Sequence, residues 1–191
     1  MQLGFHFDQT RCTGCWTCVV ACKDWNDIPA GSANWMRVSQ IVRGKYPNLW
    51  MGFLATPCYH CLEPACIEAC PTDAITKRQE DGIVVVNRDA CLGRDKCAVC
   101  LEVCPYGSPQ FGDKPDARMQ KCDFCLDRWK VGKKPVCVMA CPTRALAAGP
   151  IEEMKSSYGN LQQAAGFLYA RELGPSVVLK PKDDPAVPDA G

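Results

Sequence analysis

Cysteines at short, repeated spacings are the residues of this sequence best suited to chemistry. The chain has 191 residues and 16 cysteines, and all of the cysteines fall into four groups of four. The groups are Cys12, Cys15, Cys18 and Cys22; Cys58, Cys61, Cys66 and Cys70; Cys91, Cys97, Cys100 and Cys104; and Cys122, Cys125, Cys137 and Cys141. The first group has the spacing C-x2-C-x2-C-x3-C, at which thiolates hold iron–sulfur clusters. The sequence therefore predicts cluster binding and leaves no cysteine for another role.

A proline after the last cysteine is a second part of this pattern. In proteins with two clusters, the last cysteine of each run binds the other cluster and is followed by proline. Cys70, Cys104 and Cys141 precede proline, whereas Cys22 precedes lysine. Proline ends the helix that carries the cysteine and fixes the exit of the chain. We therefore expect the second and third groups to exchange their last cysteines, and the first and fourth groups to do the same.

This exchange predicts four [4Fe–4S] clusters, at sites that we number in chain order. Site 1 is formed by Cys12, Cys15, Cys18 and Cys141, and site 2 by Cys22, Cys122, Cys125 and Cys137. Site 3 is formed by Cys58, Cys61, Cys66 and Cys104, and site 4 by Cys70, Cys91, Cys97 and Cys100. The same cysteines are the predicted metal ligands. No catalytic residue is predicted, because the sequence has neither a hydrolytic constellation nor a dinucleotide-binding glycine motif.

Zinc sites and disulfide bonds are the two alternative uses of so many cysteines. Structural zinc is usually held by two separated C-x2-4-C pairs, whereas Cys12, Cys15 and Cys18 lie within seven residues. Disulfides belong to secreted proteins, and the first residues show no secretion signal. The fourfold repetition favours iron–sulfur clusters over both alternatives.

Composition excludes several functions. The net charge is +1, and the cysteines are counted in the hydrophobic fraction of 47%. A near-neutral chain argues against binding nucleic acid or anionic membranes through bulk charge, and no apolar run approaches the roughly 20 residues that span a bilayer. Aliphatic content is modest, so we expect the clusters to supply part of the interior. We also expect no export signal or anchor of its own, and a location in the cytoplasm or, by export within a complex, outside it.

Short elements are predicted to position the cysteines. Strands are predicted over residues 3–7, 35–42, 49–55 and 82–87, and helical segments over 16–23, 65–70 and 151–157. Residues 107–117 are predicted to be a loop, and the end of the chain, 181–188, to be extended. The fold class is therefore α+β, with two nested ferredoxin-like units, a β-rich insert and an extended C-terminal arm. The outer unit combines 1–30 with 118–150, the inner unit is 57–117, the insert is 31–56, and the C-terminal extension is 151–191.

The cysteine-containing motifs resemble those of a known family. They lie at residues 12–23, 57–66, 68–72, 103–107, 121–125, 135–137 and 140–143, with a further similarity at 44–47. These segments are similar to the four-cluster electron-transfer (beta) subunits of the dimethyl sulfoxide and polysulfide reductase family of molybdenum and tungsten enzymes. The resemblance covers about residues 3–150.

The resemblance implies a non-catalytic subunit of an anaerobic oxidoreductase complex. Its expected partner is a large subunit with a molybdenum or tungsten bis-pterin site. The other end of the electron path would be a membrane quinone-reactive subunit or a soluble carrier, and a membrane subunit would make the complex peripheral to the cytoplasmic membrane. The alternative is a polyferredoxin or the electron-input subunit of a different enzyme, such as a hydrogenase. The insert and the C-terminal arm favour the first function, because a free carrier has little use for either.

One departure from the family pattern concerns the third group. Related proteins usually have C-x2-C there, whereas Cys91 and Cys97 are separated by five residues. We expect this longer loop to bulge and to carry the charged tip 94–96 near site 4. The alternative is that Cys91 misses the iron, as in relatives that lose a cysteine and hold a [3Fe–4S] cluster.

Four polar residues beside the cysteines remain open to interpretation. His60 either packs beside a cluster, bonds to a cluster sulfur or ligates iron. Lys23, Lys121 and Arg144 are either solvated surface charges or groups that raise a cluster potential, because a positive charge near a cluster favours its reduced form.

Overall fold

This computed structural model describes residues 1–183 of the chain, which contain seven strands and six α-helices. The strands are β1 (Leu3–Asp8), β2 (Arg37–Lys45), β3 (Asn48–Thr56), β4 (Ile75–Lys77), β5 (Val84–Val86), β6 (Leu146–Pro150) and β7 (Val177–Lys180). The helices are α1 (Thr17–Trp25), α2 (Ala65–Glu68), α3 (Val99–Glu102), α4 (Leu126–Lys130), α5 (Val136–Ala140) and α6 (Ile151–Tyr158). Two 3-10 helices cover Arg88–Ala90 and Arg171–Leu173. Residues 184–188 of the predicted tail lie outside the described residues.

A three-stranded sheet joins the two ends of the described chain. Its order is β6-β1-β7, with β1 antiparallel to β6 and parallel to β7. Every residue of β1 is buried, because both of its edges are paired and the helix α6 packs on the same sheet. The amide of Asp8 donates to the carbonyl of Ala145 at 2.8 Å. This bond holds the entrance to the first cysteine group beside the exit from the fourth.

A long antiparallel hairpin, β2–β3, fills most of the region between the first two cysteine groups. Its two strands are paired from Arg37 with Thr56 to Lys45 with Asn48, so the loop between them consists of Tyr46 and Pro47. The ring of Phe53 lies against Gly14 in the first cysteine loop. The side-chain amide of Gln9 donates to the carbonyl of Phe53 at 3.1 Å. The hairpin is therefore packed on the first cysteine group.

Strand β7 is the main difference from the expected arrangement. The sequence predicts the apolar patch at 177–179 within an extended arm, but it is a strand of the central sheet, with Val178 fully buried. The preceding segment touches the second cysteine group, where the amide of Leu62 donates to the carbonyl of Gly174 at 2.9 Å. After the strand, the indole of Trp50 donates to the carbonyl of Asp183 at 2.5 Å. The C-terminal segment thus both pairs with the central sheet and contacts the β2–β3 hairpin.

Aromatic side chains form the centre of the largest core. Phe124 is fully buried, with its ring centroid 4.6 Å from that of Phe5 and 5.4 Å from that of Trp129. Tyr59 packs edge-on against Tyr106 at 4.9 Å. These rings lie between cysteine groups, so apolar surface separates the thiols from water. Within residues 1–183 no helix combines the length and apolar character needed to cross a membrane.

Candidate iron–sulfur sites

All sixteen cysteines carry free thiols, so the disulfide alternative does not describe this chain. Most of the thiols are buried or partly buried, and Cys15 is the exposed member. So many thiols without a disulfide are available for another use, and a metal centre would supply the partner charge that a buried thiolate needs. Their positions relative to one another show what that use can be.

Site 1 surrounds one cavity at the junction of the central sheet and the hairpin. Its wall contains the four cysteines grouped from the sequence, namely Cys12, Cys15, Cys18 and Cys141. Apolar side chains close the cavity: Phe7, Val38, Ala55 and Leu146. The helix α1 presents Cys18, and the turn after α5 presents Cys141 from the far end of the chain. The structure therefore brings together four thiols that are up to 129 positions apart (141 − 12).

Site 4 surrounds a second cavity, between the β4–β5 sheet and the loop that follows α3. Its wall contains Cys70, Cys91, Cys97 and Cys100, together with the apolar side chains Ile75, Val86, Phe111 and Met119. The amide of Met119 points at the sulfur of Cys91, at 3.4 Å. Cys91 thus lies at the cavity despite its longer spacing, which argues against the alternative that it misses the site.

The additional residues of the third group turn away from this cavity. Gly93 has a φ of +87°, and the amide of Cys97 donates to its carbonyl at 2.9 Å. The amide of Arg94 donates to the carbonyl of Ala117, also at 2.9 Å. The charged tip at 94–96 is exposed, so the expected bulge forms on the solvent side.

The thiols of sites 2 and 3 are grouped by their mutual electrostatic effects. Burial, together with the negative charge of Cys125, raises the pKa of Cys22 to about 12. Burial likewise raises the pKa of Cys137 well above its usual value, with added repulsion from Cys125 and Cys22.

At site 3, burial and then the nearby thiolates of Cys58, Cys104 and Cys66 together raise the pKa of Cys61 to about 12. Like-charge repulsion of this kind acts between groups a few ångströms apart. The cysteines predicted for sites 2 and 3 are therefore within electrostatic reach of one another.

The same repulsion shows which sites are adjacent. Besides burial, the pKa of Cys137 in site 2 is raised by Cys18 of site 1. Burial and then site-2 Cys22 raise the pKa of Cys122, and Cys58 of site 3 adds to them. Cys100 of site 4 contributes, after burial and its own site-3 neighbours, to the raised pKa of Cys66. The four sets of cysteines thus follow one another in the order site 1, site 2, site 3 and site 4.

N–H groups point at the last cysteine of each run. The sulfur of Cys141 accepts from the amide of Ala145 at 3.3 Å, and that of Cys104 from the amide of Ser108 at 3.5 Å. Burial opposes ionisation of Cys70, but hydrogen bonds from residues 72, 74 and 75 outweigh it and lower its pKa. Each of these cysteines precedes a proline, which stops the helix and frees the amide four residues later to turn toward the sulfur.

Cys22 lacks the proline, and its sulfur finds a different donor. Helix α1 continues past it, so the amide of Asn26 bonds to the carbonyl of Cys22 at 3.2 Å instead. The side-chain amide of Asn26 points at the Cys22 sulfur at 3.6 Å. Sequence reasoning missed Asn26, although an amide residue four positions after the one cysteine without proline was a usable signal.

The three candidate cations differ in their surroundings. Lys121 is buried, with 3% of its surface exposed, and donates to the carbonyl of Val84 and, at 3.0 Å, to that of Cys122. Lys23 donates to loop carbonyls and Arg144 is exposed. Arg37 of the hairpin is a cation that the sequence does not single out: burial lowers its pKa, and the nearby Tyr59 hydroxyl and thiols of Cys104 and Cys58 oppose that shift. Lys121 and Arg37 are therefore both placed among the thiols.

His60 lies between two cysteines of site 3 in the sequence and faces a cysteine of site 2. It is fully buried, and its Nδ1 accepts from the amide of Val84 at 3.0 Å. Its Nε2 lies 4.0 Å from the sulfur of Cys122 in site 2. Burial, then the charges of Lys121 and Lys77, lower the pKa of His60 well below its usual value, so the ring is neutral.

The donor set fits an iron–sulfur cluster better than a single metal ion. Across the described residues, no three His, Cys, Asp or Glu side chains converge closely enough to hold one ion. A zinc site requires four sulfurs at about 2.3 Å from one centre. At sites 1 and 4 the thiols are spread around an apolar-walled cavity, and N–H groups are directed at several sulfurs, which suits a larger multinuclear group. This spacing argues against the zinc alternative.

The fold and the thiol groups define an iron–sulfur protein with ferredoxin-like [4Fe–4S] domains. Two family models, both described as a 4Fe-4S dicluster domain, match residues 49–151 and 11–75. Over 188 residues the chain is 42% identical to the B subunit of anaerobic dimethyl sulfoxide reductase from Escherichia coli (strain K12), covering 94% of this chain and 89% of that protein.

Two further relatives extend this similarity. The chain is 40% identical to the corresponding B subunit of Haemophilus influenzae (strain ATCC 51907 / DSM 11121 / KW20 / Rd), again covering 94% and 89%. It is 34% identical to "Protein NrfC" of Escherichia coli (strain K12), covering 95% of this chain and 79% of that protein. The chain belongs to the family of iron–sulfur proteins that includes the B subunit of anaerobic dimethyl sulfoxide reductase. The resemblance inferred from the cysteine motifs is confirmed.

Proposed function

We propose that this chain is a non-catalytic subunit that passes single electrons through four [4Fe–4S] clusters. A bound cluster supplies a centre that takes up and releases one electron. The observation that carries the proposal is the row of four thiol groups, each within electrostatic reach of the next. In this proposal the polypeptide would hold the centres in order, its apolar side chains would exclude water from them, and its backbone and side-chain N–H groups would point at the cysteine sulfurs.

We propose the ligands of each cluster as the sequence predicts them for sites 1 to 4. The cavities at sites 1 and 4, each lined by its four cysteines, support two of these assignments. Mutual repulsion among the thiols supports the assignments at sites 2 and 3. The exchange of Cys22 and Cys141 between the first and fourth groups then ties the two ends of the cluster region together.

We propose two nested ferredoxin-like units as the domain organisation. Residues 1–30 with 118–150 form the outer unit and 57–117 the inner one, which agrees with the pairing of β1 with β6 and of β4 with β5. The hairpin within 31–56 is an insert that packs on site 1, as the contact between Phe53 and Gly14 supports. Residues 151–191 form a C-terminal arm, whose described part contributes β7 and reaches back to Trp50.

We propose a large molybdenum- or tungsten-bis-pterin subunit as the catalytic partner. Two of the relatives are named as one lettered component of a reductase, which supports a multi-subunit complex in which another polypeptide binds the substrate. A membrane quinone-reactive subunit or a soluble carrier exchanges electrons with the opposite end of the row. The chain then works wherever that complex works, attached to the membrane only through a partner.

Anaerobic purification and redox titration test this function. The chain is co-expressed with the product of its neighbouring gene, and the purified material is titrated with EPR detection. We expect a large pterin-containing subunit to co-elute and four one-electron centres to titrate. A stable monomer with a full set of clusters that associates with no pterin-containing subunit would instead identify a polyferredoxin, and association with a hydrogenase subunit would identify a different complex.

A further inference from the structure

The side chain of His60 is aimed at a site other than the one its sequence position suggests. It lies between Cys58 and Cys61, two cysteines of site 3. Its backbone is left-handed, with a φ of +44°, and this conformation turns the ring toward Cys122 of site 2. The ring is therefore placed where two neighbouring cysteine groups meet.

The hydrogen bonds of the ring define which nitrogen carries the proton. The amide of Val84 can only donate, so Nδ1 of His60 accepts this bond, at 3.0 Å. A neutral imidazole has one donor and one acceptor nitrogen. The proton is therefore on Nε2, the nitrogen that lies 4.0 Å from the sulfur of Cys122. The ring is held in this direction by complete burial and by edge-on packing on Phe124 at 5.7 Å.

We propose that His60 is a positioning residue for site 2: its Nε2–H donates to the sulfur of Cys122 and raises the reduction potential of the cluster held there. The proposal rests on the proposed function, since it requires a cluster at this site. Reduction adds one electron and increases the negative charge on the sulfurs. An N–H donor stabilises that added charge, and hydrogen bonds to sulfur are among the factors that set cluster potentials.

Three neighbouring groups also favour negative charge on the sulfurs of site 2. The buried ammonium of Lys121 lies next to Cys122 and acts in the same direction as the imidazole N–H. The amide of Phe124 also points at the sulfur of Cys122, at 3.5 Å, and Asn26 donates to Cys22 of the same site. Because the surroundings are buried, each of these dipoles and charges acts with little screening. His60 is the donor among them that comes from the loop of the adjacent site.

A matched pair of variants separates the hydrogen bond from the packing. His60→Gln and His60→Met have side chains of similar length, and both occupy the same left-handed backbone position. Only glutamine keeps an N–H donor. His6→Gln is the control, because His6 is the other histidine of the chain and bonds to the carbonyl of Val178 in the central sheet.

Potentiometric EPR titration of the purified complex measures the effect at each cluster. His60→Met is expected to change the oxidised-to-reduced ratio of one cluster about tenfold at fixed potential, which is about 59 mV for a one-electron couple, toward lower potential. His60→Gln is expected to shift this potential much less than His60→Met, and His6→Gln is expected to leave the potential of every cluster unchanged. Asn26→Leu identifies the affected cluster, because it removes a donor from site 2 and is expected to shift the same signal.

Three outcomes would overturn the inference. They are an unmoved potential in His60→Met, an equal shift in the glutamine and methionine variants, or a shift confined to a signal that Asn26→Leu does not move. If the His60 variants lose clusters, the unsubstituted complex labelled with 15N-histidine is used, and absence of a 15N coupling in the electron–nuclear double resonance spectrum of site 2 overturns the inference. A complex with fewer than four clusters would instead contradict the proposed function.

Discussion

Substitution of Gly14 by alanine tests the packing of the hairpin on the first cysteine group. Gly14 has a φ of +68°, and a Cβ there would lie 2.4 Å from a ring carbon of Phe53. The left-handed backbone costs an alanine about 1–2 kcal/mol, and overpacking adds about 1–3 kcal/mol. Gly14→Ala is therefore expected to destabilise the protein by about 2–5 kcal/mol.

Gly132→Ala is the matched control for this substitution. Gly132 has a φ of +73°, but a Cβ there has no atom within 4 Å. It is expected to lose only the backbone contribution, about 1–2 kcal/mol.

Thermal unfolding of the complex under anaerobic conditions compares the two variants at one scan rate. For a domain of this size, 1 kcal/mol corresponds to about 2–4 °C in the midpoint. Gly132→Ala is thus expected to lower the midpoint by about 2–8 °C, and Gly14→Ala by roughly twice as much. In Gly14→Ala the cluster at site 1 is expected to be the first cluster lost on heating. Equal decreases in the two variants would refute the close contact between Gly14 and Phe53.

Three further perturbations test other parts of the structure. Cys22→Ser is expected to alter the EPR signal of site 2 and to spare site 1, whereas loss of the site 1 signal would show that the cysteine exchange is wrong. Phe124→Ala removes a fully buried ring and is expected to cost about 3–5 kcal/mol in chemical denaturation; a cost below about 1 kcal/mol would contradict its place in the core. Burial lowers the pKa of His6 from 6.5. Above pH 6.5 the ring is neutral in both states and the free energy of unfolding does not depend on it, whereas below pH 6.5 the free energy of unfolding falls until the pH reaches the lower pKa of the folded state. His6→Gln should remove this part of the pH dependence of the unfolding midpoint, and an unchanged dependence would contradict it.

Features set by neighbours in sequence could be predicted from the sequence. The strand at 3–7, the helix at 16–23 and the hairpin strands at 35–42 and 49–55 correspond to β1, α1, β2 and β3 with shifts of a few residues at their ends. Each of these segments is long enough for its residue pattern to indicate its structure. Strand β4 is only three residues long and shows no such pattern, so it was missed.

Features set by distant partners could not be predicted in this way. The segment that forms β7 is short and apolar, and it becomes a strand because β1 offers a free edge more than 160 positions earlier. The direction of His60 depends on Val84 and Cys122, neither of which is adjacent in sequence. Likewise, Lys121 is buried, unlike Lys23 and Arg144, and its ammonium bonds to the carbonyl of Val84, 37 positions earlier in the chain. The cysteine spacing indicates the kind of site, whereas its surroundings require the fold.

The iron and acid-labile sulfide content of the anaerobically purified chain tests the central claim most directly. Four cubane clusters, each held by four of the 16 cysteines, predict about sixteen iron atoms and about sixteen sulfides per chain. A chain that is folded with zinc in place of iron, or with iron well below this amount and no acid-labile sulfide, would contradict the claim that these thiols hold four clusters in a row.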